Sequence, residues 1–119
     1  MQQQRWAGVI DSVGGVTLAN VLSLVHYGGT VAAIGNAGSA EFTSSVYPFI
    51  LRAVSLVGIN SVYTPREVRL DAWRRLGTDL DLGLLDSMTS VVALGDAIPT
   101  ASRILEGGVR GRTVVDVRA

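Results

Sequence analysis

The 119-residue sequence has no cysteine, which excludes disulfides and thiolate metal sites. It has one histidine, His26, too few for a histidine-based transition-metal cluster. An excess of charge of either sign is missing too: ten Lys and Arg balance ten Asp and Glu, for a formal net charge of zero. Surfaces that bind nucleic acid or membrane need a basic excess, so neither partner is expected. No apolar run approaches the ~18 residues of a membrane-spanning helix, and nothing behind Arg5 resembles a signal peptide. A soluble cytoplasmic protein is the expectation. Only three prolines stand against fourteen glycines, a balance that suits an α/β chain with tight strand-to-helix turns. With 48% hydrophobic and 17% charged residues the chain is globular rather than disordered.

One more absence matters most. Ala7-Gly8-Val9-Ile10-Asp11-Ser12-Val13-Gly14-Gly15 reads as a buried parallel strand entering a glycine turn. Gly28 to Gly38 repeats that design, with a helical run between, so the pair forms a βαβ unit of the dinucleotide-binding kind. Yet no G-x-G-x-x-G precedes it. The sequence reads as though it starts inside a cofactor-binding domain.

The remaining elements follow from periodicity and turn chemistry. Residues 7–13 form a strand so uniformly apolar that helices are expected on both sheet faces. Residues 16–26 form a deeply buried helix, closed by a Tyr27-Gly28-Gly29 cap, and residues 30–35 form the second strand. Val46, Phe49, Ile50 and Ala53 fall at helical spacing, with Pro48 in the first turn. Val54–Val62 is the third strand. Thr64-Pro65-Arg66-Glu67 makes a capping box opening a helix with Trp73, Leu76 and Leu80 on one face. Gly77 and Gly83 loosen residues 77–87, the candidate domain crossing. Val91–Leu94 is a strand, Asp96 caps a helix through Leu105 that Gly107-Gly108 stops, and residues 112–117 close as a strand.

Taken together, W-A-G-V-I-D-S-V-G, H-Y-G-G-T-V-A-A-I-G-N-A-G, P-F-I-L-R, G-I-N-S-V-Y-T-P and G-R-T-V-V-D-V resemble the C-terminal part of the medium-chain dehydrogenases/reductases. Within them the chain is most similar to the zinc-independent acryloyl-CoA reductase branch, often labelled quinone oxidoreductase-like. The resemblance implies an α/β fold: the second half of a Rossmann-type parallel sheet with flanking helices, then a strand-helix-strand belonging to a GroES-like catalytic domain. Residues 1–83 would be the Rossmann part and 84–119 the return segment. The earlier strands and the phosphate loop would lie in a preceding block.

The resemblance also implies sites, each with a plainer alternative. Asn36 would lie by the nicotinamide of NADPH, where the family usually has an apolar residue; it is equally a turn asparagine. Gly35, in G-x-x-G with Gly38, would let the chain approach the cofactor or simply turn. Val13, in Asp11-Ser12-Val13-Gly14, would lie beneath the ribose and nicotinamide, or merely end a strand whose Asp11 accepts local backbone hydrogen bonds. Ser61 would stand beside the nicotinamide amide, or satisfy a local backbone group. Ile50 would pack near the cofactor, although core packing is its expected main role. Arg112 would pair with phosphate or open an edge strand at the surface. Gly108 replaces a polar cofactor neighbour. Arg66, Arg69, Arg74 and Arg75 read better as a solvated helix face than as a phosphate patch. His26 has no evident partner and reads as a helix C-cap. No metal ligand is expected, and no catalytic proton donor can be named.

The function implied is NADPH-dependent reduction of the C=C bond of an α,β-unsaturated acyl-CoA, or of a related enone or quinone, with this chain alone inactive. The other reading is a non-catalytic structural or dimerisation module, in which strand Val54–Val62 pairs with a second copy about Gly58-Ile59.

Overall fold

A computed structural model of the chain describes residues 3–119 and separates into two units, the first ending at Pro65 and the second Arg66–Ala119. The first is built on three parallel strands in the order β1-β2-β3: β1 (Trp6–Asp11), β2 (Val25–Ala33) and β3 (Ser55–Gly58). Helix α1 (Gly15–Leu22) joins β1 to β2, and a loop with helix α2 (Tyr47–Arg52) joins β2 to β3.

Register decides which side chains become core. Val9, Val31 and Leu56 lie abreast across the three strands, as do Ile10, Ala32 and Val57 on the opposite face. The first row meets the helices: Val31 joins Leu18 and Leu22, one turn apart on α1, and Val25 and Val54 in a buried cluster. Val9, Val21, Phe49 and Leu56 pack around it. Each fully buried aliphatic side chain contributes roughly 1.5–3 kcal/mol relative to exposure. The second row is uncovered, with Ile10 at 76% and Val57 at 43% exposure. Within this unit α1 and α2 cover one face of the sheet.

Two boundaries also move. The first helix stops at Leu22, and Val25 is buried as the first residue of β2 rather than as a helical neighbour of Leu22. The ladder then steps from Trp6–Val25 to Gly8–Thr30, so His26 to Gly29 form a bulge in β2. His26 is thus an exposed bulge residue, not a helix cap. Gly28 takes φ 73° at this bulge. The α1 C-terminus is closed from a distance, by the Arg52 guanidinium donating to the Ser23 carbonyl at 2.9 Å and the Val25 carbonyl at 3.4 Å. The third strand is shorter than the expected Val54–Val62, because the chain turns after Gly58.

The second unit contains α3 (Arg66–Asp79), α4 (Leu82–Ser87), β4 (Thr89–Ala93), α5 (Ala97–Leu105) and β5 (Arg112–Asp116), with a short 3-10 turn before α5. Strands β4 and β5 pair in parallel, so α5 is their crossover. Thr64 does not complete a capping box: its hydroxyl donates to the Asn60 carbonyl at 2.7 Å, and α3 begins at Arg66. Helix α4 was not expected; Asp81 caps it by accepting from the Leu84 amide at 3.0 Å. Asp96 stands at the start of α5 without a side-chain cap bond. The α5 C-terminus closes as foreseen: Gly107, at φ 72°, donates to the Ile104 carbonyl and Gly108 to that of Arg103, a Schellman arrangement.

Candidate functional site

Because the three strands are parallel, their C-terminal ends share one edge of the sheet, where open α/β sheets take their ligands. Three turns meet there. The β1 and β2 ladder continues beyond the strands themselves: the Ile34 amide donates to the Asp11 carbonyl at 2.8 Å and the Ala37 amide to that of Ser12 at 3.1 Å. The Gly38 and Ser39 amides both donate to the Val13 carbonyl, at 2.8 and 3.2 Å. Val13, Gly35 and Asn36 are thereby brought together on two interlocked turns.

Glycine is required for that interlocking. A Cβ on Gly14 would strike the Ser39 carbonyl oxygen, and one on Gly35 would come to 3.0 Å from that of Ser12. A Cβ on Gly38 would come to 3.1 Å from the Val13 Cγ1 and 3.3 Å from the Val13 carbonyl oxygen. The glycines of the G-x-x-G segment therefore pack backbone against backbone, whatever ligand the edge receives.

The third turn follows β3. The Ile59 amide donates to the Ala33 carbonyl at 2.9 Å, tying this turn to the end of β2. Asn60 then organises it: its Oδ1 accepts from the Val62 and Tyr63 amides, and its carbonyl accepts from the Thr64 hydroxyl. Ser61 is carried at the tip of this turn. Between the β2 and β3 ends runs an open groove of about 550 Å³, lined by Ala33, Ile34, Gly58, Ile59, Asn60, Ser61 and Val62. Its lining is small and apolar apart from one amide and one hydroxyl, with no titratable side chain. Such a groove can hold and orient a flat ring with an amide substituent, but supplies no general acid or base.

The other two expected positions fall elsewhere. Ile50 lies on α2 outside the groove lining and is 68% exposed, while its neighbours Pro48 and Phe49 pack inward. Core packing as its main role is therefore corrected, because the short helix turns the adjacent side chains to the sheet. Arg112 belongs to the second unit, where it opens β5 with its amide donating to the Met88 carbonyl and its side chain exposed. Arg74 and Arg75 pair with Asp71 and Asp79 on their own helix, as a solvated face would. Asn60 carried no expectation from the sequence, whereas Asp11 accepts a local backbone hydrogen bond as the strand-end reading expected. An asparagine following an apolar strand is the signal that points to the first.

The fold and edge define the class: a Rossmann-like parallel sheet with flanking helices and a ligand edge at its strand ends. No family model matches the chain. The chain is 45% identical over all of its 119 residues to the acrylyl-CoA reductase AcuI of Ruegeria pomeroyi, of whose length it covers 36%. Among solved structures it is similar to Escherichia coli K-12 YhdH with bound NADPH, with a TM-score of 0.84 and 44% identity over 98% of the chain and 36% of that protein. It is also similar to Bacillus subtilis YhfP with NAD bound, with a TM-score of 0.81 and 42% identity over 98% of the chain. The chain matches a Rossmann-like part of these relatives, which are named as acrylyl-CoA reductases and a quinone oxidoreductase. It spans about a third of the length of the curated relatives it matches.

Proposed function

We propose that this chain forms the nicotinamide side of the cofactor cleft in an NADPH-dependent oxidoreductase. Its reaction would reduce the C=C bond of an α,β-unsaturated acyl-CoA or a related enone or quinone. The observation that carries the reading is the 45% identity to an acrylyl-CoA reductase along the entire chain. The names of the similar structures support the cofactor class, since those proteins hold NADPH and NAD. The residues at the sheet edge fit one end of a dinucleotide. Gly14, Gly35 and Gly38 fix the path of the backbone at that edge, and the groove by Ser61 is open and mostly apolar.

In this reading Val13, Gly35, Asn36 and Ser61 hold and orient the nicotinamide end, with Ile50 flanking it and Arg112 serving the phosphates. When bound, the reduced nicotinamide supplies the hydride equivalent for the substrate β-carbon. The chain's own residues orient the ring along the open groove. The enolate formed on the substrate needs electrostatic stabilisation and a proton at its α-carbon, and the groove lining offers no proton donor. The domain reading assigns residues 1–83 to the Rossmann part and 84–119 to a GroES-like catalytic domain. That assignment keeps α3 with the sheet, whereas the two-unit division groups it with β4 and β5.

Titrating NADPH against the purified chain while following nicotinamide fluorescence tests the reading. Saturable binding is expected; no binding up to millimolar cofactor removes the cofactor site from this chain.

A second reading is favoured by the outer edge of β3, which no strand among the described residues pairs. Two copies joining there, isologously about Gly58-Ile59, would merge their sheets and make the chain a dimerisation module. The oligomeric state in sedimentation equilibrium tests it.

A further inference from the structure

Asp11 is 3% exposed, the one charged side chain among the described residues that is buried to this degree. A carboxylate in such a place is expensive unless hydrogen bonds compensate for lost water. Its Oδ2 accepts from the Gly14 amide at 2.9 Å, closing a ring over Ser12 and Val13. Gly14 stands at φ 70°, ψ −157°, a backbone state open essentially to glycine alone. From the same residue the carbonyl accepts the Leu18 amide at 3.1 Å and starts α1. The carboxylate thus also lies near the positive end of that helix.

The two peptide carbonyls inside the ring, of Ser12 and Val13, are those that accept the Ala37, Gly38 and Ser39 amides. Their directions are set by closure of the ring. Three hydrogen bonds of the second turn therefore depend on one side chain of the first.

We propose that Asp11 is the positioning residue of the ligand edge. By holding the Gly14 amide it sets the Ser12–Val13 carbonyls, and through them the loop that carries Asn36. It acts without touching a ligand. Its consequence for cofactor binding rests on the NADPH reading above; the coupling between the turns does not.

The test is amide hydrogen exchange on the ligand-free chain, for Asp11→Ala, Asp11→Asn and Asp11→Glu. In Asp11→Ala the Gly14, Ala37, Gly38 and Ser39 amides should lose protection by at least about tenfold more than the Val31 and Ala32 amides of β2. Asp11→Asn, which keeps an acceptor oxygen in place, should retain most of that protection. Asp11→Glu keeps the charge but displaces the oxygen, and should show the selective loss in milder form if the alanine variant does not fold. NADPH affinity should weaken about tenfold in Asp11→Ala and be largely rescued in Asp11→Asn. Protection that falls equally in the loop and in β2 would reduce Asp11 to a general stabiliser and overturn the proposal. A parent chain that binds no NADPH removes the cofactor reading instead, and exchange alone then decides the coupling.

Discussion

Replacing Gly14 by alanine should be among the most damaging single-methyl additions to this chain. Two penalties combine. The native φ of 70° with ψ −157° lies where only glycine is comfortable, a strain of about 1–3 kcal/mol for any other residue. The new Cβ would also meet the Ser39 carbonyl oxygen, which is backbone and cannot swing away. Relief requires the two turns to part, giving up at least one of the Ala37, Gly38 and Ser39 hydrogen bonds, at about 1 kcal/mol each. A loss of about 3 kcal/mol follows. Gly28 isolates the first penalty: its φ is 73°, but a Cβ there meets nothing within 4 Å. Gly28→Ala should therefore cost about 1–2 kcal/mol. Gly58 carries neither penalty, and Gly58→Ala should lie within about 1 kcal/mol of zero. Urea unfolding followed by far-UV circular dichroism measures all three, provided that the slopes agree. A Gly14→Ala variant no less stable than Gly28→Ala would refute the interlocked-turn argument.

Two further outcomes are expected. Arg52→Ala should destabilise the chain by about 2 kcal/mol, since its charged donor leaves the Ser23 and Val25 carbonyls, and Arg52→Lys should recover part; unchanged urea midpoints would remove the distal cap. The dimer proposed at the β3 edge should appear as a doubled mass in sedimentation equilibrium and revert to monomer in Val57→Lys, whereas a parent chain that is monomeric throughout would end that reading.

The βαβ plan was legible because its signals are local and agree: an apolar strand, a glycine turn, a helix and a second apolar strand. The misplaced boundaries arise where one residue pattern serves two structures. Val25 follows Leu18 and Leu22 at spacings of four and three, so periodicity extends the helix, yet burial is also what the first residue of an inner strand needs. Gly28-Gly29 has the composition of a helix cap, and a bulge in a parallel strand asks for the same freedom of φ. Helix α4 escaped because Gly83 reads as a breaker, whereas Asp81 supplies a cap strong enough to start a short helix before it. Of the site, the glycines and the strand-end serine could be found by their positions. Asp11 and Asn60 could not be ranked, because their importance lies in which distant amides depend on them.

That dependence bears on Asn36, the residue carried between Gly35 and Ala37 on the second turn. Its neighbours Ala37, Gly38 and Ser39 are held by backbone bonds to Ser12 and Val13, and Gly35 is pressed against Ser12. The path of the main chain through position 36 is therefore set on both sides without help from the exposed Asn36 side chain. A substitution there changes the side chain that the turn presents while leaving the turn itself in place. Tolerance of this kind does not extend to Gly14, where a Cβ would meet the Ser39 carbonyl oxygen, or to an Asp11 replacement that removes the acceptor of the Gly14 amide. The edge thus separates into framework residues that admit little change and a presented residue free to vary, and differences among relatives in what the edge binds should concentrate at the second.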